Sequence, residues 1–314
     1  MFHVQLRLTQ ELLADRLPSA DRQNDLRELG DELGGVTGMS RIVAIANQKG
    51  GVGKTTTAVN LSAAVAQRGR RVLLLDLDPQ ANATSGVGLP RGDRAATSYD
   101  LLVGERPLPE LIRSSEVPGL DVIPAVPELA GAEVELVGEA GWERILSNRI
   151  RDLPTTYDYV FIDSPPSLGL LTVNALVAAH SVLIPLQCEY YALEGLSHLL
   201  DTIRLIRERL NASLEIEGIL LTMYDGRLNL SIQVAEDARR YFGGKVYATM
   251  IPRNVRLGEA PGFGKPITVY DPTCIGAMSY FNLAEEVLGN GQKGSGEGAG
   301  RTDLPGVNAG SEQA

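Results

Sequence analysis

Short apolar runs recur along the middle of the chain and alternate with segments whose apolar positions have helical spacing. The runs are nearly continuous in Val, Ile and Leu, which is typical of parallel strands covered by helices on both faces. They occupy residues 41–47, 71–78, 120–125, 157–166, 181–187, 216–225 and 245–252. The helical segments between them include residues 55–69, 173–179, 194–210 and 229–244. This alternation predicts an α/β fold: a doubly wound, mostly parallel sheet of about seven or more strands, flanked by helices.

The two ends of the chain lack this pattern. Residues 1–38 carry four Arg against seven Asp and Glu and end in the breaker-rich LGGVTG. Two interpretations of this extension stay open: a loosely attached helix, or residues that precede a true initiator at Met39. Residues 289–314 hold eight Gly in 26 positions, a composition that predicts a disordered tail. We therefore place the folded domain at residues 39–288.

Composition limits the classes of function. Twenty-nine Lys and Arg against 39 Asp and Glu give a net charge of −10, so any contact with nucleic acid must use a local patch. Cys188 and Cys274 lie far apart without a CxxC motif, which favours a reducing compartment and excludes a sequence-local metal site. No apolar run approaches the ~20 residues of a membrane span. We predict a cytoplasmic protein.

The segment QKGGVGKTTT, residues 48–57, directly follows the first apolar run and precedes a helical pattern. A strand, a Gly-rich loop and a helix in this order form a P-loop, whose backbone N–H groups and helix N-terminus bind phosphate oxygens. Lys54 is expected to reach the β- and γ-phosphates of ATP, and the Thr55 hydroxyl is expected to bind Mg²⁺. The predicted ATP-binding residues of the loop are Lys49, Gly50, Gly51, Val52, Gly53, Lys54, Thr55 and Thr56.

The loop departs from the ordinary P-loop pattern at its start. GxxxxGK[ST] requires glycine at position 48, where this chain has Gln48, and an additional lysine, Lys49, follows. KGGVGKT resembles the deviant Walker A motif of the ParA/MinD ATPase family. The resemblance implies that Lys49 reaches across a dimer interface to the partner's nucleotide, so that Lys49 and Lys54 are both catalytic residues.

Further segments extend this resemblance from about residue 40 to 288 and point to the Soj-like branch of the family. They are DLDPQANATSG, AVPELAGAEVEL, DYVFIDSPPSLGLLTVNAL, QCEYYALEGLSHLL, GILLTMYDGRLNL and IPRNVRLGEAPGFGKPI. In that branch the IPRN segment lines the adenine end of the nucleotide. The resemblance therefore implies that Pro252 and Asn254 also bind ATP.

Two aspartates, Asp78 and Asp163, close apolar runs at the edge where a doubly wound sheet binds its ligands. A carboxylate there can orient an attacking water or hold Mg²⁺ through the waters of the ion. The resemblance divides these roles: Asp78 is the catalytic residue for hydrolysis, and Asp163 is associated with magnesium through water. Asp76 lies two positions earlier in LDLD, and we interpret it as structural.

Related classes of the same superfamily are disfavoured. MinD-like proteins carry a C-terminal amphipathic membrane helix, which needs an apolar face opposite Lys and Arg. Residues 293–314 have no such face, so we predict no membrane partner. Nitrogenase-type iron proteins and iron–sulfur carriers need paired cysteines, which the spacing of Cys188 and Cys274 does not offer.

A local basic patch offers a contact with DNA. Residues 227–256 hold six Lys and Arg against two acidic residues, a net charge of +4 in an acidic protein. In the Soj-like family, arginines that match Arg227 and Arg256 bind double-stranded DNA without sequence preference. The resemblance also implies an ATP-dependent homodimer on the nucleoid and a ParB/Spo0J-like partner that stimulates hydrolysis.

The sequence therefore predicts a Mg²⁺-dependent ATP hydrolase, weak alone and stimulated by its partner, for chromosome or plasmid partitioning. The alternative is a nucleotide-gated regulator, for example of replication initiation or transcription. The two functions differ in whether ATP hydrolysis serves to position DNA or only resets the state of the protein.

Overall fold

The fold is built on one sheet of seven strands. The computed structural model describes residues 40–92, 96–104, 106–151, 153, 157–189 and 192–293. The strands are β1 (Arg41–Ile45), β2 (Val72–Asp76), β3 (Arg113–Ser114), β4 (Leu120–Ile123), β5 (Tyr159–Asp163), β6 (Ser181–Gln187) and β7 (Glu215–Thr222). Their order across the sheet is β3-β4-β2-β5-β1-β6-β7, and only β3 is antiparallel to its neighbour. The predicted doubly wound, mostly parallel sheet is confirmed.

Two details of the strand prediction were wrong. Residues 245–252 form no strand; their pairing with the sheet edge is limited to isolated bridges, Ile219 with Val246 and Tyr224 with Pro252, although the Tyr247 N–H also donates to the Ile219 carbonyl (3.0 Å). In contrast, the short strand β3 was not predicted. It has only two residues, Arg113 and Ser114, and neither is apolar.

Helices cover both faces of the sheet. They are α1 (Lys54–Gln67), α2 (Asn82–Gly86), α3 (Ser98–Leu102), α4 (Leu108–Leu111), α5 (Leu129–Leu136), α6 (Ile145–Ile150), α7 (Leu170–Ala178), α8 (Ala192–Arg209), α9 (Asn229–Phe242), α10 (Val255–Glu259), α11 (Ile267–Tyr270) and α12 (Ile275–Lys293). Short 3₁₀ helices occupy Trp142–Arg144, Gly243–Lys245 and Ala260–Phe263.

Successive strand residues enter two different cores. On β1, Val43 and Ile45 pack with α1 and α12, whereas Ala44 packs with the apolar residues of α7 and α8 on the opposite face. Both cores are fully shielded from solvent at these positions. This explains why the strands have no polar face: each side chain of a central strand is buried by a helix on one side or the other.

The parallel register brings several strand ends to one edge of the sheet. Ile45 at the end of β1 and Asp76 at the end of β2 both lie beside Asp163 at the end of β5. The loop after β1 and the aspartates after β2 and β5 therefore meet at the carboxyl edge, where open α/β sheets bind ligands.

The predicted C-terminal boundary of the folded domain, residue 288, lies within the last helix. Helix α12 continues to Lys293, five residues beyond the expected end at 288. The predicted extension, residues 1–38, and the rest of the predicted tail, residues 294–314, lie outside the described residues. Within the described part of the chain, no helix combines the length and apolarity needed to span a membrane.

Candidate nucleotide site and its surroundings

The Gly-rich loop leaves β1 through a turn fixed by Asn47. The Asn47 side chain donates to the Pro185 carbonyl (2.8 Å) and accepts the backbone N–H of Lys49 (3.0 Å). Gly51 and Gly53 then have φ angles of 75° and 90°, which side chains with a Cβ rarely adopt. Helix α1 begins directly after Gly53, so its unpaired N–H groups face the inside of the loop. This geometry is that of a phosphate-binding loop.

Lys54 lies inside the loop rather than on the surface. Its side chain is buried, and its Nζ donates to the Lys49 carbonyl at 3.0 Å. Burial lowers the pKa of Lys54, while the carboxylates of Asp163 and Asp78 oppose that shift. The ammonium group is thus held inside the phosphate loop, with two carboxyl groups close by.

Asp163 is a buried carboxylate that lacks internal partners. It is fully shielded from solvent, and neither of its oxygens makes a hydrogen bond within the described residues. Burial and the neighbouring Asp76 raise its pKa well above the ordinary value. The nearby Thr55 hydroxyl opposes this rise in the pKa of Asp163. Its position relative to the Asp163 oxygens does not, however, meet the geometry of a hydrogen bond.

These oxygens fit a magnesium site. No group of three or more His, Cys, Asp or Glu in the described ranges could bind a metal by itself. Mg²⁺ usually binds proteins through one or two side chains and keeps several waters, with substrate phosphates completing its shell. The Thr55 hydroxyl and the unpaired Asp163 carboxylate offer that kind of donor set.

The two aspartates of LDLD have different surroundings. Asp76 accepts hydrogen bonds from the backbone N–H of Asp78 (3.0 Å) and from both the N–H (2.8 Å) and the hydroxyl (2.7 Å) of Thr84. Its pKa is raised to about 6, mainly by burial. The structural role predicted for Asp76 agrees with these bonds. Asp78 instead accepts only from the N–H of Gln80 (3.0 Å) among the described residues, and its charge acts on Lys54.

Lys49 differs from Lys54 in its solvent exposure and in the group that it contacts. Its side chain is 35% exposed and pairs with Glu189, whose side chain is 47% exposed, at 3.4 Å. Gln187 holds the other oxygen of the same carboxylate. Sequence reasoning gave Glu189 no role, yet it lies two residues after the end of β6, which is the neighbour of β1 in the sheet. The adjacency of β1 and β6 in the sheet is the signal by which Glu189 could have been identified.

A cavity of about 260 Å³ opens beside the loop. It is lined by Thr55, Thr56, Val59, Asn60, Asn82, Ser85, Gly86, Arg91, Ala260, Pro261 and Lys265. Neither Pro252 nor Asn254 lines it: Pro252 bridges to Tyr224, and the Asn254 side chain caps α10 by accepting the N–H of Arg256 (2.8 Å). The structure thus places these two predicted residues next to the end of β7 and apart from the cavity.

The two predicted DNA-binding arginines lie in separate acidic surroundings. Arg227 is 89% exposed and binds both oxygens of Asp225, at 2.9 and 2.7 Å. Arg256 is about half exposed and pairs with Glu259 (2.8 Å) and Asp271 (3.6 Å). The carboxylates of Asp225, Glu259 and Asp271 all lie outside residues 227–256. The net charge around the two arginines is therefore lower than the +4 counted over those residues.

Comparisons with known proteins agree with this geometry. The model of the AAA domain family matches residues 40–216. The sporulation initiation inhibitor protein Soj of Bacillus subtilis is 57% identical over 253 residues, which cover 81% of this chain and all of that protein. The chromosome partitioning protein ParA of Myxococcus xanthus is 54% identical over 80% of this chain and 88% of its own length. This chain belongs to the ParA/Soj family of ATPases.

Solved structures of relatives supply the fold and the ligands. The cobyrinic acid a,c-diamide synthase of Mycobacterium smegmatis, solved with an ATP analog and magnesium, has a TM-score of 0.72 and 36% identity, and the match covers 82% of this chain and 97% of that one. The cell division ATPase MinD of Pyrococcus furiosus has a TM-score of 0.66 and 29% identity, with 80% and 100% covered. The expected ATP hydrolase with ATP and Mg²⁺ as ligands is confirmed at the level of the family.

Proposed function

We propose that this ParA/Soj-family ATPase is a DNA-partitioning switch of the cytoplasm. ATP and Mg²⁺ bind at the P-loop, two subunits enclose two nucleotides, and the dimer binds double-stranded DNA of the nucleoid without sequence preference. A ParB-like partner stimulates hydrolysis and releases the dimer. The observation that carries the proposal is the contrast between two lysines of one loop, Lys54 buried inside it and Lys49 held outside it.

The position of Lys49 supports the dimer. Lys54 already supplies the buried cation of its own loop, and Lys49 is on the solvent side, paired only with Glu189 in the part of the chain that the structure describes. An exposed ion pair of this kind contributes only ~0–1 kcal/mol, so a triphosphate on a second subunit can compete for the lysine. ATP would then be the group that joins the two subunits.

The hydrolytic machinery uses side chains of the carboxyl edge. Mg²⁺, where bound, neutralises charge on the phosphates, and Thr55 and Asp163 would hold it. Asp78 has one oxygen engaged by Gln80, and we assign to it the orientation of the attacking water. Pro252 and Asn254 remain our candidates for the base end of ATP.

DNA binding follows from exposed arginines on separate loops. Arg227 and Arg256 must each give up their pairs with carboxylates to reach phosphate, and both arginines are solvent-exposed, so water and salt screen these pairs. A dimer doubles the number of these contacts, so ATP-dependent dimerisation makes DNA binding depend on the nucleotide. Binding is expected to be weak per arginine and to fall steeply with salt.

Two variants of the loop region test the proposal. Asp78→Ala retains the phosphate loop, so we expect it to bind ATP, hydrolyse slowly and accumulate as a DNA-bound dimer. Lys49→Ala loses the contact between subunits, so we expect it to stay monomeric with ATP and off DNA. Light scattering gives the size and a DNA-retention assay gives the binding. A monomeric Asp78→Ala, or a Lys49→Ala that dimerises and binds DNA normally, would refute the switch.

A second function is supported by one relative. The Bacillus subtilis protein at 57% identity is named as an inhibitor of sporulation initiation, which favours a nucleotide-gated regulator, for example of replication initiation or transcription. In a regulator, hydrolysis only resets the bound state. Fluorescence of the tagged protein in dividing cells separates the two: movement over the nucleoid with segregating DNA supports partitioning, and a static pattern with altered initiation supports regulation.

A further inference from the structure

The cavity beside the phosphate loop lies between three segments of the chain. Its walls come from the first two turns of α1, from residues 82–91 and from residues 260–265. The last two segments are in backbone contact, because a Cβ added to Gly264 would lie 3.1 Å from the Cα of Gly88. The cavity is therefore enclosed by closely packed elements of the fold.

The cavity is separate from the interior of the phosphate loop. Thr55 and Thr56 line it, but none of Lys54, Asp78 and Asp163 does. Its volume of about 260 Å³ is below the ~300–1,000 Å³ of pockets that take drug-sized ligands. At ~30 Å³ per water, this volume has room for roughly nine waters. The occupant that fits is therefore a small ion or molecule with part of its water shell, and not a second nucleotide.

The amide side chains of the cavity have their oxygens engaged and an N–H group free. The Asn60 oxygen accepts the Ile267 N–H at 2.6 Å, and the Asn82 oxygen accepts a hydrogen bond at 2.7 Å. The buried Asn60 nitrogen donates one of its two N–H groups to the Thr56 carbonyl (2.7 Å). Its second N–H has no acceptor in the described part of the chain. What the amides still offer is a donor.

Two cations stand on the solvent side of the cavity. Arg91 and Lys265 line it and are both exposed. Arg91 donates to the uncharged amide of Asn82, and Lys265 pairs with no carboxylate within the described residues. Among those residues, no Asp or Glu lines the cavity. Two uncompensated cations, an amide N–H and the hydroxyls of the lining form a donor set for a compact anion with several acceptor oxygens.

The depth of the cavity favours a free anion over a phosphate of the DNA backbone. Four of its lining residues are buried: Val59, Asn60, Gly86 and Ala260. A backbone phosphate carries a sugar on either side, so it would reach the exposed cations but not this floor. Inorganic phosphate is small enough for the floor, and ATP hydrolysis releases it at the neighbouring loop.

We propose that the cavity is a second anion site, which binds inorganic phosphate while a nucleotide occupies the phosphate loop. A bound phosphate joins α2, which closely follows Asp78, to residues 260–265, which closely follow Arg256. The site thus lies between the segment of hydrolysis and the segment of the proposed DNA contact. The binding claim itself depends on neither DNA nor dimerisation.

Equilibrium dialysis of the full chain with radiolabelled phosphate tests the proposal. Saturating Mg²⁺ and a non-hydrolysable ATP analog fill the phosphate loop, including the position of the γ-phosphate. We expect phosphate to bind under these conditions. Sulfate should compete with it, because the site presents donors and sulfate has the same tetrahedral shape. Binding that disappears when the analog is added, or that sulfate leaves unchanged, would overturn the second site.

Arg91→Gln with Lys265→Gln removes both cations of the cavity. Arg144→Gln with Arg151→Gln is the matched control, because the change in charge is identical and both arginines are exposed at the ends of α6, which packs on the opposite face of the sheet from α1. Arg151 also donates to an asparagine oxygen, that of Asn148, at 2.8 Å. We expect the cavity pair to lose about tenfold or more in phosphate affinity and the control pair less than about twofold. Equal losses in the two pairs would contradict the assignment.

Ser85→Met tests the cavity without a change in charge. Ser85 lines the cavity, so the longer side chain takes up space that phosphate needs. We expect about a tenfold or greater loss of phosphate binding, with the affinity for the ATP analog retained as evidence that the protein is folded. Phosphate binding equal to that of the unchanged chain would show that phosphate binds elsewhere.

DNA retention with the same variants separates the two sources of phosphate. If Arg91→Gln with Lys265→Gln keeps its phosphate affinity but loses DNA, the two cations serve the duplex and the second site is wrong. Phosphate binding is read without DNA and without turnover. Its failure is therefore distinguishable from failure of the partitioning switch, which Asp78→Ala and Lys49→Ala decide.

Discussion

Asp163 is expected to lower the free energy of unfolding of the nucleotide-free protein. Its carboxylate is fully buried, has no hydrogen bond within the described residues and lies beside Asp76 in the register of β5 and β2. Burial and that neighbour both raise its pKa, which means that the folded protein disfavours the charged form. Asp163→Asn removes the charge and keeps the shape of the side chain. We therefore expect the variant to be more stable without Mg²⁺ and ATP, although it hydrolyses ATP poorly.

The magnitude follows from two opposing effects. A buried polar group without partners costs ~1–3 kcal/mol, and an amide at the same place keeps part of that cost. Lys54 also loses one of the two carboxylates that favour its charge. The expected net gain is ~1–2 kcal/mol in the free energy of unfolding. For a domain of this size ~1 kcal/mol corresponds to ~2–4 °C, so the melting temperature should rise by ~2–8 °C.

The assay is urea unfolding with a metal chelator, followed by circular dichroism, next to the Mg²⁺-dependent ATPase rate of the same preparation. Asp201→Asn is the control, because Asp201 is exposed and its pair with Arg204 spans 3.6 Å on the helix surface. It should change the free energy of unfolding by less than ~0.5 kcal/mol. If Asp163→Asn unfolds at lower urea than the unchanged chain, attraction to Lys54 outweighs burial and the reasoning is refuted.

Three further changes have defined outcomes. Lys54→Ala should abolish ATP binding in equilibrium titration, because it removes the buried cation of the loop; unchanged affinity would contradict the P-loop assignment. Arg227→Glu with Arg256→Glu should abolish DNA binding but not ATP-dependent dimerisation. The unchanged dimer has four such contacts, so the logarithm of its DNA-binding constant should fall with the logarithm of salt concentration at a slope of roughly −3.6. Local desolvation of the imidazole and the charge of Arg41 lower the pKa of His180, whose Nδ1 accepts the Ile42 N–H although the residue as a whole is exposed, so the free energy of unfolding should fall as pH drops below the ordinary value of 6.5. His180→Asn should flatten this dependence in unfolding titrations at several pH values; a profile identical to the unchanged chain would show that other groups cause it.

The fold could be predicted from the sequence where a strand is buried on both faces. Runs such as VLLL, residues 72–75, have no polar position to confuse the pattern, and their order along the chain implies crossovers. The prediction for the run at 245–252 failed for a physical reason: the run is apolar enough to pack on β7, but it pairs with that strand only at isolated bridges and not in a continuous ladder. An apolar pattern reports burial, and burial alone does not create a ladder of hydrogen bonds.

The site was predictable where its residues are neighbours in sequence. The phosphate loop and LDLD are local motifs that carry their own geometry. The pair of Lys49 and Glu189 spans 140 positions, so only the order of strands in the sheet could have indicated it. The carboxylates at Arg256 were missed because the charge count stopped at residue 256, three positions before Glu259.

The two lysines of the loop differ in what each must give up when nucleotide arrives. Lys54 has already lost its water, and its ammonium group is held by the Lys49 carbonyl and by nearby carboxylate charge. Lys49 keeps part of its hydration and gives up only a pair with Glu189 that contributes ~0–1 kcal/mol. Breaking that pair changes an equilibrium by about fivefold at most, since ~1.4 kcal/mol is tenfold. The pair is therefore too weak to gate the dimerisation that we propose, in which the triphosphate charge on the opposite subunit would supply the gate.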